Sequence, residues 1–251
     1  MMKSILKAGF CVLIILIRTQ FTSGAQTNMA KYQFGISAGA FIYQGDLTPS
    51  AIGSYRTSRP VISLFASKFV SASLALRGNL AIGTLGGNDA AYDQPEYRKQ
   101  RNFNFQTPIA ELSGIAEWNP LGRNYSARGF APYLFAGGGI GFLRIKRDYS
   151  GFNAANFGEG SELITGINAD VQHSTPTIIP VVPVGIGLRY YLSDKIGIGA
   201  ETSYRIMSND YLDGFSQAAN PSKGDHYHSH TIGVVYRIGK RNLLDCPVVS
   251  Y

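Results

Sequence analysis

Large apolar residues recur at every second position through much of this chain. The clearest stretch is 178–206. Val182, Val184, Ile186, Leu188, Tyr190 and Leu192 alternate with Pro183, Gly185, Gly187, Arg189 and Tyr191. After Ser193-Asp194 the alternation resumes. Ile196, Ile198, Ala200, Thr202, Tyr204 and Ile206 take one face, and Lys195, Gly197, Gly199, Glu201, Ser203 and Arg205 the other. Successive side chains of a strand point to opposite faces, so the stretch predicts two strands and a tight turn. One face is apolar and ends in tyrosines. The other holds glycines and isolated charges. Lipid outside, a tight polar interior and aromatics at the interface are the signature of an outer-membrane β-barrel.

The rest of the chain repeats the pattern. A first strand is predicted over 32–44, with Phe34, Ile36, Ala38, Ala40 and Ile42 facing lipid. A second covers 59–69, with Phe65 on its polar side. A third sets Leu74, Leu76, Leu80 and Ile82 against Ser73, Arg77, Asn79 and Ala81. A fourth covers 103–119, where Pro108 counts against a strand. A fifth covers 130–145 and carries the Gly137-Gly138-Gly139 run. The pair above supplies the sixth and seventh. The eighth sets Ile232, Val234, Tyr236 and Ile238 against Gly233, Val235, Arg237 and Gly239. Loops are expected over 45–58, 84–102, 146–177 and 207–229, and shorter connections at Val70-Ser71, 119–129 and Ser193-Asp194.

Eight strands with alternating short and long connections fit a single-chain outer-membrane barrel, whose periplasmic turns are short and outer loops long. The predicted class is therefore all-β, an eight-stranded antiparallel outer-membrane barrel. A soluble lipocalin-type barrel would need large apolar residues inside and charges outside. Here Arg and Glu sit on the glycine-rich face.

The N-terminus reads as a signal peptide over 1–25. Lys3 and Lys7 precede an apolar run over 8–17, and Ser23-Gly24-Ala25 resembles a cleavage site. The barrel is then expected over 26–251, with a periplasmic tail at 240–251. The signal holds three of the 23 basic residues, which leaves 20 against 16 acidic ones, a net charge near +4. No Lys/Arg stripe interleaved with aromatics argues for nucleic acid. Cys246 alone of the two cysteines survives cleavage, so no intramolecular disulfide is expected.

The predicted inward charges are Arg77, Glu111, Glu117, Arg189, Glu201, Arg205 and Arg237. An eight-stranded barrel is just wide enough for side chains to fill it. Opposite charges should therefore pair across it as a plug rather than line a pore. His226, His228 and His230 fall at alternate positions beside Asp225, and share a face if the last strand begins early. Alternating histidines can ligate zinc or copper. No further ligand is fixed by the sequence, so they read as rim histidines at the membrane interface. Ser174 and Ser229 each adjoin a His, but adjacent strand residues face opposite ways. No nucleophile elbow is present. No catalytic residue, metal or cofactor is assigned.

Several segments together carry a resemblance. Tyr43-Gln44-Gly45-Asp46-Leu47 resembles the Y-x-G-D-L turn of the PorG-like outer-membrane barrels. Arg101-Asn102-Phe103-Asn104-Phe105, Glu111 and Glu117-Trp118-Asn119 resemble that family's R-N-x-x-F … E … E-(Y/W)-N strand. Pro132-Tyr133-Leu134-Phe135-Ala136-Gly137-Gly138-Gly139 is similar to its P-Y-x-F-x-G-x-G strand, and Cys246-Pro247 to its C-P-x-(F/Y) tail. The resemblance implies a monomeric accessory barrel of the type IX secretion system. Such a barrel sits in outer-membrane lipid and associates with a periplasmic ring lipoprotein and its partner. It implies no enzymatic activity. A stand-alone adhesive barrel acting through its outer loops is the alternative reading, and a lipid-modifying enzyme a third.

Overall fold

The computed structural model describes residues 30–50, 52–158, 160–207, 211–219 and 224–239. The predicted signal peptide, the tail at 240–251 and Cys246 lie outside them. The strands are β1 (Tyr32–Gln44), β2 (Arg59–Phe69), β3 (Leu74–Asn88), β4 (Asn104–Trp118), β5 (Gly129–Leu143), β6 (Lys146–Asp148), β7 (Ile178–Tyr191), β8 (Ile196–Ile206) and β9 (His226–Ile238). The long strands pair antiparallel with their neighbours in chain order. β1 closes the circle on β9, from Tyr32 opposite Ile238 to Gln44 opposite His226. β3 completes it on β4. The result is a closed eight-stranded antiparallel barrel, with the short β6 added beside the start of β4.

The registers keep one parity throughout. In the wall, odd-numbered residues face in and even-numbered residues face out, as partners such as Gln33–Ser67–Arg77 and Ile36–Leu64–Leu80 show. Away from the long loops the outer face is apolar and bare: Ile36 is 54% exposed, Leu112 60% and Ile232 72%, whereas Ile42, expected to face lipid, is buried beside Gly53 of the first loop. Such a band is stable against hydrocarbon and not against water. Tyr32, Trp118, Phe130, Tyr190 and Tyr236 ring it at the end of the short turns, where Phe130 and Tyr190 pack with ring centroids 4.7 Å apart. No helix among the described residues is long and apolar enough to cross a membrane; the wall is built of strands.

Inside, glycines make room for rings. A Cβ on Gly35 would run into the ring of Phe65, and one on Gly187 into the ring of Tyr133. Phe65, on the polar side in the sequence, is thus an interior filler. Pro108 stays in β4 opposite Thr84, and its carbonyl accepts from the Arg144 amide at 3.1 Å.

Four expectations are corrected. The third strand runs on to Asn88, because Leu85 continues the alternation into a buried site. The fifth stops at Leu143, and β6 follows as a separate piece. β9, the predicted eighth strand, starts at His226 rather than after Ser229. The two middle loops are not featureless: they hold helix α1 (Tyr97–Arg101) and helix α2 (Glu162–Gln172). Ser161 caps α2, its Oγ accepting from the Ile164 amide.

Candidate functional sites inside and at the ends of the barrel

All seven predicted inward charges point into the barrel, and six of them pair. Arg189 grips Glu117 with two hydrogen bonds, Nη1 to Oε2 at 2.8 Å and Nη2 to Oε1 at 2.7 Å. Arg77 lies between Glu117 at 3.0 Å and Glu201 at 2.6 Å. Tyr133 donates to Glu201 at 2.9 Å, and its ring lies 3.9 Å from the Arg189 guanidinium carbon. Nearer the long loops, Arg205 Nε donates to Glu111 Oε2 at 3.0 Å, and its Nη1 donates to Ser229 Oγ at 2.6 Å. Tyr227 also donates to Glu111. Every carboxylate of this ladder therefore meets a guanidinium, the condition for holding charges out of water. Arg237 stands apart at the turn end, lying over the ring of Tyr191 and donating to the Ser126 carbonyl at 2.6 Å.

The long loops close over the other end as one packed cap. Phe103 stacks on Phe215 with centroids 4.4 Å apart. Leu47, Leu212 and Ile167 of α2 share that core with Phe41 and Tyr227 of the wall. Asp170 of α2 accepts from the amides of Ser216, Gln217 and Ala218. The approach is close: a Cβ on Gly166 would strike the Gln217 carbonyl. Asp89, fully buried, binds Arg98 Nη1 at 2.8 Å and Arg101 Nε at 2.6 Å. Both guanidinium groups also donate to the Asp46 carbonyl, which ties the first loop to the second.

A carboxyl pair sits in this cap. Tyr43 Oη lies 2.6 Å from Asp213 Oδ2 and 2.5 Å from Asp225 Oδ1. A phenol has one proton and can donate to only one of them. The other contact requires a proton on a carboxyl. Burial, reinforced by the charge of Asp225, pushes the Asp213 carboxyl well above the usual carboxylate range. The Tyr-x-Gly-Asp-Leu turn thus has a physical basis. Tyr43 anchors the carboxyls and accepts from the Asp46 amide, Gly45 leaves them room, and Leu47 enters the core.

The histidines share the outward face of β9 at the loop end. His230 uses both ring nitrogens, with Tyr55 Oη at 2.9 Å and Thr202 Oγ1 at 3.0 Å, and its ring stacks on Tyr55. Among the described residues no group of three or more His, Cys, Asp or Glu is placed to hold a metal. Ser229 points inward to Arg205, away from its histidine neighbours. Ser174 is exposed beyond α2, where His173 stacks on Tyr211.

The turn end is built differently. Segment 119–128 is laced to the 70–73 turn: the Asn119 amide donates to the Ser73 carbonyl at 2.7 Å, the Asn124 amide to Ala72 at 3.0 Å, and Asn124 Nδ2 to Ser71 at 3.1 Å. Arg123 and Arg128 project from it into solvent. Sequence reasoning marked the inward charges, but not the Asp89 clamp, the carboxyl pair or this held segment. Of these only the Tyr-x-Gly-Asp-Leu turn left a local signal.

No curated protein matches the chain. Among solved structures it is similar to the attachment invasion locus protein Ail of Yersinia pestis, at 12% identity over 84% of this chain and 99% of that one, TM-score 0.45. It is similar to OprG of Pseudomonas aeruginosa at 12% identity over 86% and 100%, TM-score 0.45. Neisserial surface protein A gives 12% identity over 82% and 97%, TM-score 0.45. These likenesses concern fold alone. The family model described as "Domain of unknown function (DUF6089)" matches residues 7–237. The chain belongs to that family.

Proposed function

We propose that this chain is a non-catalytic, monomeric outer-membrane barrel that anchors a periplasmic protein-secretion assembly of the type IX kind. Short turns face the periplasm in barrels of this class, which puts segment 119–128 and the 70–73 and 192–195 turns on that side. The observation that carries the reading is the charge at this end. Lys31, Lys68, Arg123, Arg128 and Lys195 are exposed there against Asp194 alone among the described residues. A held, basic surface steers and docks an acidic protein partner. The resemblance to PorG-like barrels suggests a ring lipoprotein and its companion as that partner. The ion-paired interior suits an anchor that transmits no solute.

The test is recovery of the tagged barrel from outer membrane in mild detergent, with companions identified by mass spectrometry. Stoichiometric recovery of a periplasmic lipoprotein, lost in an Arg123→Glu/Arg128→Glu variant that still folds, is the expected result. A barrel recovered alone, with secretion unchanged on its deletion, overturns the anchoring role. Function would then belong to the packed outer loops, as in an adhesin.

A further inference from the structure

One row of the barrel interior keeps spare hydrogen-bond donors. Near the turn end, Arg77 of β3 faces Ser67 of β2, Ser67 faces Gln33 of β1, and Gln33 faces Arg237 of β9. All four point inward, and all are more than nine-tenths buried. Each keeps a buried polar atom without a partner: Arg77 Nε, Ser67 Oγ, Gln33 Nε2, and both Nε and Nη2 of Arg237. Four neighbouring strands thus bring their spare donors to one row of the interior.

The electrostatics run the same way. Arg77, Arg189 and Arg205 are answered by Glu111, Glu117 and Glu201. Arg237 has no carboxylate at ion-pair distance among the described residues; its Nη1 donates to the Ser126 carbonyl and its guanidinium lies over the Tyr191 ring. A buried guanidinium without a counter-charge is among the costlier arrangements in a protein interior. Gln33 is oriented for the purpose. Tyr191 donates to its Oε1 at 2.8 Å, which leaves the amide's N–H groups for another acceptor.

We infer that Arg237, Gln33 and Ser67, with Arg77 Nε at the far end of the row, form an oxyanion site inside the turn-end mouth, beneath segment 119–128. Its ligand is a carboxylate or a phosphate group. Guanidinium forks match both, and an amide and a hydroxyl complete such a set. The inference does not depend on the anchoring role. Two sources could supply this chemistry on the periplasmic side: a free inorganic ion, or a carboxylate carried on an acidic peptide.

Isothermal titration of the full-length, detergent-folded barrel at constant ionic strength tests the site. The probes are inorganic phosphate, acetate and triglutamate. Saturable binding of one anion per barrel is expected, weakened at least tenfold in Arg237→Gln. Gln33→Glu places a carboxylate opposite Arg237, and is expected to abolish binding while raising the thermal midpoint. Phosphate or acetate binding alone identifies a free ion. Triglutamate binding tenfold tighter than acetate, and lost in Arg237→Gln, identifies a carried carboxylate. No saturable binding of any probe overturns the site. So does binding that survives in both variants, which would mark an adventitious ion on the basic surface.

Discussion

Arg189 and Glu117 face each other across the barrel interior with two parallel hydrogen bonds, 2.8 and 2.7 Å long, although 72 residues separate them in the chain. Glu117 also meets Arg77 at 3.0 Å. One carboxylate is therefore shared by two buried guanidinium groups, of which Arg77 also has Glu201 at 2.6 Å. Glu117→Gln leaves Arg189 without its carboxylate and is expected to cost about 3–5 kcal/mol. Urea unfolding in detergent or lipid reads this as a lowered midpoint. An unchanged midpoint would show that the ladder is dispensable.

Phe65 occupies the space that Gly35 leaves empty on the neighbouring strand. Gly35→Ala is expected to cost about 1–3 kcal/mol through overpacking. Adding Phe65→Leu should restore much of that loss. If the double variant is less stable than the single, the two residues do not share the space as described.

The cap should loosen as pH rises. The buried Asp213 carboxyl titrates well above its ordinary range, whereas in the unfolded chain it titrates at about 3.9. Between these values the folded state binds the extra proton, so stability falls with rising pH and is fullest below the unfolded value. Protection of the 211–219 amides, taken relative to their intrinsic base-catalysed exchange at each pH, is expected to be higher at pH 5 than at pH 8. Asp213→Asn, which mimics the protonated acid, should make that protection independent of pH. A wild-type profile that is flat, or that tightens with rising pH, contradicts the shared proton.

Asp89→Ala removes the one carboxylate that binds both Arg98 and Arg101. The first two long loops should then open, at a cost of about 3–5 kcal/mol to the cap. Limited proteolysis should cut within 45–58 or 89–103, while the strands stay protected. Cutting unchanged from wild type would show that the clamp does not hold the loops.

Much of the wall could be read from alternation alone. Leu188, Tyr190, Ile196 and Ile198 declare their face by chemistry, and Arg77, Glu117 and Arg205 declare the other by standing among glycines and serines. The start of β9 was hidden for the opposite reason. His226, His228 and His230 alternate with Tyr227, Ser229 and Thr231, so the period persists while the apolar contrast is gone. Helix α2 was hidden by its shortness, with Leu163 and Ile167 as its core-facing signal inside a polar stretch. The Asp89 clamp and the carboxyl pair bring together residues from separate loops. Only their placement in space reveals them, since no local spacing encodes a contact between distant segments.

Because Phe103, Phe215, Leu47 and Ile167 come from four different loops yet meet in one core, these loops are not four interchangeable appendages. A chimera carrying a foreign version of 207–225 would lose Phe215 from Phe103 and Asp213 from Tyr43 together. Variation at this surface should therefore be inherited as a block, with coordinated change across the loops. A peptide grafted for surface display belongs at the tip near Gly158 and Gly160, where an added Cβ meets no neighbouring atom, rather than in a segment that helps close the barrel.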